Sequence, residues 1–309
     1  MEVHKGFKNL SFKDPVITMG IFDGVHRGHA VIIKRLIARA AELNGESVII
    51  TFDPHPRLIL EYGSKNLSIL STTEEKLALL KRTGADHLIV IEFDRQLSSL
   101  TAADFIKKIL IDEIGMKHLI VGYDHHFGHK GSGDFETIKE FAKLFGFTVE
   151  RIAGVEDDGL IISSSRIREA LISRRLDEAN RCLGYDYLLK GRVVEGMKLG
   201  RRLGFPTANI KPEDKFKLIP ANGVYAVGVN INRQKYNAVL SIGFNPTVRK
   251  QPGERSIEAH IFDFEDDIYN EDLEIEFKFR LRDEMKFKDK KELAGQLKID
   301  KENAIKLLT

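Results

Sequence analysis

The sequence predicts an α/β protein in which a Rossmann-like domain with a parallel sheet precedes a small antiparallel β-barrel and a C-terminal helix. Short apolar runs alternate with helical patterns in the first half, and strands replace these patterns after about residue 185. The 309 residues also suffice for two domains, at roughly 100 to 200 residues each. We therefore expect domains at residues 1–185 and 186–309.

The first half is expected to form a parallel sheet covered by helices on both faces. Ser71, with Glu74 three residues later, predicts a capping box at the start of a helix that ends near Gly84. The other predicted helices are Ala30–Leu43, Ala102–Ile111 and Phe135–Phe145, and the predicted strands are Val16–Phe22, Ser47–Phe52, His87–Phe93, Lys117–Gly122 and Thr148–Ile152. Ligands of such sheets bind beyond the carboxyl ends of the strands.

The second half has the pattern of an antiparallel barrel. Apolar and charged residues alternate from Leu273 to Leu281, which predicts a half-buried strand, and Asn232-Arg233 suits a tight hairpin turn. The other predicted strands are Val224–Ile231, Tyr236–Ile242 and Ser256–Phe264, and a final helix is predicted over Lys290–Leu308.

Composition excludes several classes of protein. Hydrophobic residues at 42% and charged residues at 30% exclude a disordered or collagen-like chain, and a net charge of +2 disfavours a dedicated nucleic-acid binder. The single cysteine, Cys182, excludes an internal disulfide. No segment has the length of a membrane span or the character of a signal peptide, so we expect a cytoplasmic protein without membrane partners. The sequence assigns no oligomeric state.

The segment from Gly20 to His29 leaves a predicted strand and enters a helix, which is where a polyphosphate would bind. Its glycines allow the backbone to approach phosphate, and the helix N-terminus offers free N–H groups. His26 and His29, three residues apart, can hydrogen-bond the oxygens of a phosphorus centre as its negative charge grows. The alternative interpretation is a glycine turn with two solvated histidines.

A second segment, Ile162 to Arg168, also lies where a helix begins. Its serine hydroxyls can cap that helix, and Arg166 or Arg168 can bind phosphate with two hydrogen bonds. Taken alone, it is equally well a serine-rich cap with two surface arginines.

The third segment, Gly191 to Asn209, carries many glycines and three arginines that could fold over a nucleotide. It is not a Walker A loop, because Met197 stands where a lysine is required. A glycine-rich barrel hairpin with solvated arginines is the alternative.

Together these motifs resemble a known family. Gly20 to His29 and Ile162 to Arg168 are similar to the His-x-Gly-His nucleotidyltransferases, and more narrowly to the bifunctional bacterial FAD synthetases. Pro206-Thr207-Ala208-Asn209 resembles the signature of riboflavin kinases. The resemblance covers essentially the whole chain and implies an FMN adenylyltransferase followed by a riboflavin kinase, with riboflavin, FMN, FAD and ATP as ligands and Mg²⁺ as the cofactor.

The resemblance also implies roles for individual residues. The implied catalytic residues are His26, His29 and Glu258. ATP would be bound in the adenylyltransferase by Gly20, Phe22, Asp23, Gly28, His29, Ser164, Arg166 and Arg168, and in the kinase by Gly196, Gly200, Arg202, Thr207 and Asn209. The flavin would be contacted by Phe52, Pro54, His55 and Asp124 in the first domain and by Arg282 in the second, and Thr207 and Asn209 would hold the metal ion.

Other interpretations are a nucleotidyltransferase for a different phosphorylated acceptor and a non-catalytic flavin-binding regulator. The signature at Pro206 argues against the first, and the intact histidines and Glu258 argue against the second. Zinc binding by His125, His126 and His129 is a further alternative, disfavoured by the lack of a cysteine or carboxylate at ligand spacing.

Overall fold

A computed structural model describes residues 1–60, 67–125, 127–128, 133–196, 205–244 and 255–309. The chain divides into two compact units, Met1–Ser164 and Ser165–Thr309. This division lies earlier than residue 185 because the helix Leu176–Leu183 packs on strands of the second unit. The predicted domain boundary between residues 185 and 186 stays a prediction.

The first unit is built on a six-stranded sheet. Its strands are β1 (Glu2–Lys5), β2 (Val16–Met19), β3 (Ser47–Asp53), β4 (His87–Glu92), β5 (His118–Val121) and β6 (Thr148–Arg151). They lie in the order β1-β4-β3-β2-β5-β6, and every neighbouring pair is parallel. The predicted parallel sheet is confirmed, whereas the edge strand β1 was not predicted. A small antiparallel pair, β7 (Glu156–Asp157) and β8 (Leu160–Ile161), follows.

Helices cover both faces of this sheet, as predicted. They are α1 (Arg27–Glu42), α2 (Pro56–Leu60), α3 (Thr73–Lys81), α4 (Arg95–Ser98), α5 (Ala102–Asp104), a π-helix (Phe105–Glu113) and α6 (Phe135–Phe145). Alternate residues of one strand point to opposite faces. Ile50 accordingly packs with the π-helix and α6, whereas its neighbour Ile49 packs with α1 and α3.

One detail of the predicted helices is wrong. The capping box uses Thr72 and Glu75, one residue later than predicted, because the Ser71 hydroxyl is engaged by Asp23 and by the Gly24 N–H. The helix predicted from Ala102 is present; it begins as a short α-helix and continues as a π-helix, whose hydrogen bonds span five residues instead of four.

The second unit is a closed six-stranded barrel, as predicted. Helices α7 (Ser164–Ile172) and α8 (Leu176–Leu183) precede strands β9 (Tyr187–Val194), β10 (Ala208–Pro212), β11 (Gly223–Ile231), β12 (Gln234–Gly243), β13 (Ser256–Ile261) and β14 (Asp272–Arg282). The strands are antiparallel in the order β10-β13-β12-β11-β14-β9. The final helix α9 (Lys290–Leu308) has the predicted bounds, and its Ala304 is buried against the barrel.

None of the helices formed by the described residues is long and apolar enough to cross a membrane.

Candidate active sites

The loop between β2 and α1 makes a sharp turn at the carboxyl end of the sheet. Phe22 and Val25 have positive φ values of 51° and 36°, a region that a β-branched residue rarely occupies. Asp23 holds this turn, because its buried carboxylate accepts the Ser71 N–H at 2.9 Å. The Gly24 N–H donates in turn to the Ser71 hydroxyl at 2.9 Å. The strained loop is thus fixed before any ligand binds.

The two histidines of this loop form a stacked pair at the N-terminus of α1. Their ring centroids are 3.6 Å apart and their planes are 17° from parallel. His26 is the N-cap residue, and its Nδ1 accepts the His29 N–H at 3.4 Å. Gly28 makes room for this arrangement, since a Cβ atom there would lie 3.1 Å from the His26 ring. The Phe22 ring meets His29 edge-on at 5.1 Å, and Gly20 packs against Phe22.

The electrostatics of the pair favour a neutral His29 ring. Because Nδ1 of His26 accepts a hydrogen bond, the proton of the neutral ring lies on Nε2, which can donate. The pKa of His29 lies well below its ordinary value, first because the ring is removed from water and second because it lies beside His26. His29 is therefore neutral at pH 7, and its Nδ1 has no hydrogen-bond partner among the described residues.

The segment Ile162–Arg168 meets the histidine loop through its first residues. The Ser164 hydroxyl donates to the Asp23 carbonyl oxygen at 2.9 Å, and the Ile162 carbonyl lies 3.7 Å from the position of a Cβ on Gly28. The first residue of α7 is thereby held beside the start of α1.

The two predicted arginines of this segment lie on α7, in the second unit. Nε of Arg166 donates to Glu178 at 2.8 Å, and the Arg168 side chain is half-buried. The binding of phosphate by these arginines stays a prediction.

Two loops predicted to contact flavin also follow strands of the first sheet. Phe52, the last residue but one of β3, has a half-buried ring, and the cis peptide bond Asp53–Pro54 follows it. The His55 ring is buried, with Nε2 3.8 Å from the Asp23 carboxylate. Asp124 is exposed just after β5.

An aromatic row that the sequence analysis did not identify lies between these loops. The ring of Phe105 lies 6.5 Å from Phe52 and 6.0 Å from Phe127, and His125 lies 5.6 Å from Phe127. His126 and His129, the other histidines of this segment, lie outside the described residues. Phe52 and His125, far apart in the sequence, thus belong to one row of aromatic side chains, which no local sequence pattern indicates.

Lys76 is a second residue that the sequence analysis missed. Its side chain is almost wholly buried, and Nζ donates to the Phe52 carbonyl at 2.8 Å. Burial lowers the pKa of Lys76 to about 8, although the nearby carboxylates of Asp23 and Asp53 oppose this change. In the sequence, nothing distinguishes it from the exposed lysines of other helices.

In the barrel, three predicted residues come together on neighbouring strands. Asn209 on β10 lies opposite Glu258 on β13, and the Thr207 hydroxyl donates to the Glu258 carboxylate at 3.4 Å. Gly196 lies against this group, since a Cβ atom there would be 1.9 Å from the Asn209 carboxamide nitrogen. The predicted ATP-binding residues Gly200 and Arg202 lie outside the described residues.

The metal ion implied by the resemblance would need oxygen ligands, since Mg²⁺ prefers them. Thr207 supplies a hydroxyl, Asn209 a carboxamide and Glu258 a carboxylate within hydrogen-bonding range of Thr207. This donor set fits Mg²⁺ and not a soft metal.

A cavity of about 390 Å³ lies beside Thr207, a size suited to a small-molecule ligand. It is bounded by the loop after β13, including the carboxylates of Asp266 and Asp267 and the ring of Tyr269. His260, which the sequence analysis did not assign a role, holds the other wall: its Nδ1–H donates to the Pro206 carbonyl at 2.9 Å. The residue before Thr207 is thus anchored to β13.

Arg282, predicted to contact flavin, is paired with a residue of the final helix. Its Nε and Nη2 donate to the buried carboxylate of Asp300 on α9 at 2.9 and 2.7 Å. Its Nη1 donates to the Asp283 carbonyl. This geometry favours a structural role that ties β14 to α9, and the flavin contact of Arg282 stays a prediction.

Comparison with known proteins matches each half of the chain to a family. Residues 8–166 match the family described as FAD synthetase, and residues 183–308 match the family described as riboflavin kinase. A bifunctional riboflavin kinase/FMN adenylyltransferase of Pseudomonas fluorescens is 40% identical over 93% of this chain and 91% of its own length. The protein of the same description from Bacillus subtilis is 36% identical over 94% and 92%.

A crystal structure from Streptococcus pneumoniae is similar along its whole length, with a TM-score of 0.88, 34% identity and coverage of 98% of this chain and 99% of that one. That protein is described as a macrolide-efflux protein. The two family matches, the extended similarity to the bifunctional enzymes and the architecture agree. The chain belongs to the family of bifunctional riboflavin kinase/FMN adenylyltransferases.

Proposed function

We propose that this chain phosphorylates riboflavin to FMN with ATP and then adenylylates FMN to FAD, releasing pyrophosphate. One observation carries the proposal: a stacked His26–His29 pair at a helix N-terminus and a Thr207–Glu258 contact in a barrel occur on one chain. Each group suits one of the two phosphorus reactions. Macrolide efflux, the activity named for the streptococcal protein, is not proposed for this chain, because neither group of residues suggests transport.

In the adenylyltransferase, the FMN phosphate attacks the α-phosphorus of ATP in line, and pyrophosphate leaves without a covalent enzyme intermediate. The Nε2–H of His26 and the N-terminus of α1 donate to the oxygens of the reacting phosphorus. His29 takes part as a neutral ring. Ser164, Arg166 and Arg168 are assigned to the β- and γ-phosphates of ATP.

Rigid placement of these donors supplies the catalysis, because hydrogen-bond donors already in position need no reorganisation during the reaction. The Asp23–Ser71 contact and the stacking of the histidines support this assignment. Adenylyl transfer thus depends on the loop geometry and not on a nucleophile of the protein.

In the kinase, the Glu258 carboxylate accepts the proton of the riboflavin 5′-hydroxyl as that oxygen attacks the γ-phosphorus of ATP. Thr207 and Asn209 would hold Mg²⁺, which supplies charge neutralisation on the ATP phosphates. Gly196 contributes by leaving space for the Asn209 side chain. Gly200 and Arg202 are assigned to ATP from the family resemblance alone.

The flavin of the first domain is assigned to Phe52, Pro54, His55 and Asp124, and the aromatic row through Phe105 supports this assignment. Aromatic faces stack favourably on a planar heteroaromatic ring. The expected cytoplasmic location, favoured by the single cysteine, stays part of the proposal.

A time course with purified protein, riboflavin, excess ATP and Mg²⁺ tests the proposal, with riboflavin, FMN and FAD separated by chromatography. FMN should rise and then decline as FAD accumulates. FMN without FAD would remove the proposed acceptor of the first domain. Riboflavin that stays unchanged, together with added FMN that is not converted, would favour a non-catalytic flavin-binding regulator.

A further inference from the structure

A group of metal-ligating side chains lies at the edge of the first sheet, away from the histidine loop. Glu2 and His4 are two residues apart on β1, so their side chains share one face of the strand. His87 begins β4, and the parallel pairing places it opposite Glu2. The group therefore lies at the amino end of β4, whereas the loop that carries His26 leaves the carboxyl end of β2.

The nitrogen atoms of this group have the spacing of metal ligands. Nε2 of His4 lies 3.2 Å from Nδ1 of His87. Two nitrogens bound to a tetrahedral zinc ion at about 2.0–2.1 Å are separated by roughly 3.3 Å. A carboxylate oxygen of Glu2, whose side chain is 70% exposed, lies 3.9 Å from His87 Nδ1. One ligand atom from each residue lies within 4.8 Å of the others.

The surroundings of the two rings are those of a supported site. The Phe12 ring packs on both histidines, at 5.6 Å from His4 and 4.8 Å from His87, and shields them from water. The second nitrogen of His87 faces the Glu46 carboxylate at 3.7 Å, and Glu46 is held by the Lys13 N–H at 2.7 Å. A carboxylate behind a ligating histidine orients the ring and raises its basicity as a ligand.

We propose that Glu2, His4 and His87 form a binding site for a divalent transition metal ion, for which Zn²⁺ is the best fit. Two imidazoles and one carboxylate supply three ligands, and water completes a tetrahedron. The mixed nitrogen and oxygen donors select zinc over Mg²⁺, which prefers oxygen ligands, so this site differs in chemistry from the proposed ATP–metal site on Thr207 and Asn209.

Isothermal titration of ZnCl₂ into untagged full-length protein, previously stripped with a chelator, tests this site. We expect tight binding that His4→Gln and His87→Gln each weaken at least tenfold. Glu46→Gln should weaken it by about tenfold, because it removes the carboxylate charge that faces the second nitrogen of His87. The matched control His125→Gln should bind as the unaltered protein does. Millimolar Mg²⁺ should not compete.

Two further measurements guard against misfolding of the variants. Glu2→Gln changes an exposed side chain and should weaken zinc binding without lowering the metal-free melting temperature. Saturating zinc should raise the melting temperature of the unaltered protein and not that of His4→Gln. No zinc binding, unchanged binding in the His4→Gln/His87→Gln double variant, or loss of the binding in His125→Gln would each overturn the proposal.

Discussion

Gly196 lies directly against the side chain of Asn209. A β-carbon at residue 196 would lie 1.9 Å from the carboxamide nitrogen, so the Asn209 side chain would have to move. Asn209 in turn lies opposite Glu258 in the barrel. The conformation of the Asn209 carboxamide, which is assigned to the metal ion, thus depends on the absence of a side chain at Gly196.

The substitution Gly196→Ala should therefore lower riboflavin phosphorylation. A displaced Asn209 misplaces the metal ion and the phosphates, and a misplacement of about 1 Å costs about 100-fold in rate. The FMN adenylyltransferase activity should not change. Gly295→Ala in α9 is the matched control, since no atom lies within 4 Å of its added carbon. Equal kinase activity in the two variants would contradict the role of Asn209.

His26 should contribute to stability as well as to catalysis, because it caps α1. His26→Ala should lower the free energy of unfolding by about 1 kcal/mol, whereas His26→Asn, which can still cap, should retain it. Denaturant unfolding of both variants measures the difference. Identical stabilities would show that the 3.4 Å contact with the His29 N–H contributes nothing.

His29 should remain neutral well below pH 6.5. Its pKa is lowered by removal from water and by His26, so the protonated form appears only at more acidic pH. An NMR titration of the His29 ring, assigned with a His29→Gln variant, should give a midpoint clearly below 6.5. Adenylyl transfer should accordingly show no acidic inflection near pH 6.5 from this residue. A midpoint at or above 6.5 would contradict a neutral His29.

Lys76 should make the stability depend on pH in the alkaline range. Its pKa is about 8 in the folded chain and near 10.5 when unfolded, so between these values the unfolded chain binds more protons and stability rises with pH. Across this interval the free energy of unfolding should rise by about 3 kcal/mol, at 1.36 kcal/mol per pKa unit. Unfolding measured from pH 7 to 11 should show this rise, and Lys76→Met should lack it. Lys81→Met, an exposed control on the same helix, should retain the rise.

The sequence predicted the sheet, the barrel and the final helix because hydrophobic periodicity determines which face of each element is buried. It misplaced the capping box because Ser71 with Glu74 and Thr72 with Glu75 match the same pattern. The choice between them depends on the Asp23 carboxylate, 48 residues away from Ser71 in the chain. Periodicity also did not distinguish the π-helix from an α-helix.

The sequence predicted some residues of the candidate sites and missed others, because contacts between distant parts of the chain leave no local pattern. His26, Thr207 and Glu258 stand in recognisable motifs, and the chain brings each into a polar group with its neighbours. Lys76 and His260 donate hydrogen bonds to the backbone carbonyls of Phe52 and Pro206. No local sequence pattern indicates such bonds. Arg282 shows the converse, because its motif did not reveal that Asp300 occupies its guanidinium group.

The central claim is that FAD formation depends on the site with His26 and FMN formation on the site with Glu258. Measuring the two reactions separately in one variant of each site tests it most directly. FMN formation from riboflavin and FAD formation from supplied FMN would be measured separately for His26→Asn and Glu258→Gln. We expect His26→Asn to lose about 100-fold or more in FAD formation only, and Glu258→Gln to lose about 100-fold or more in FMN formation only. Loss of both reactions in either correctly folded variant, or of neither, would contradict the account.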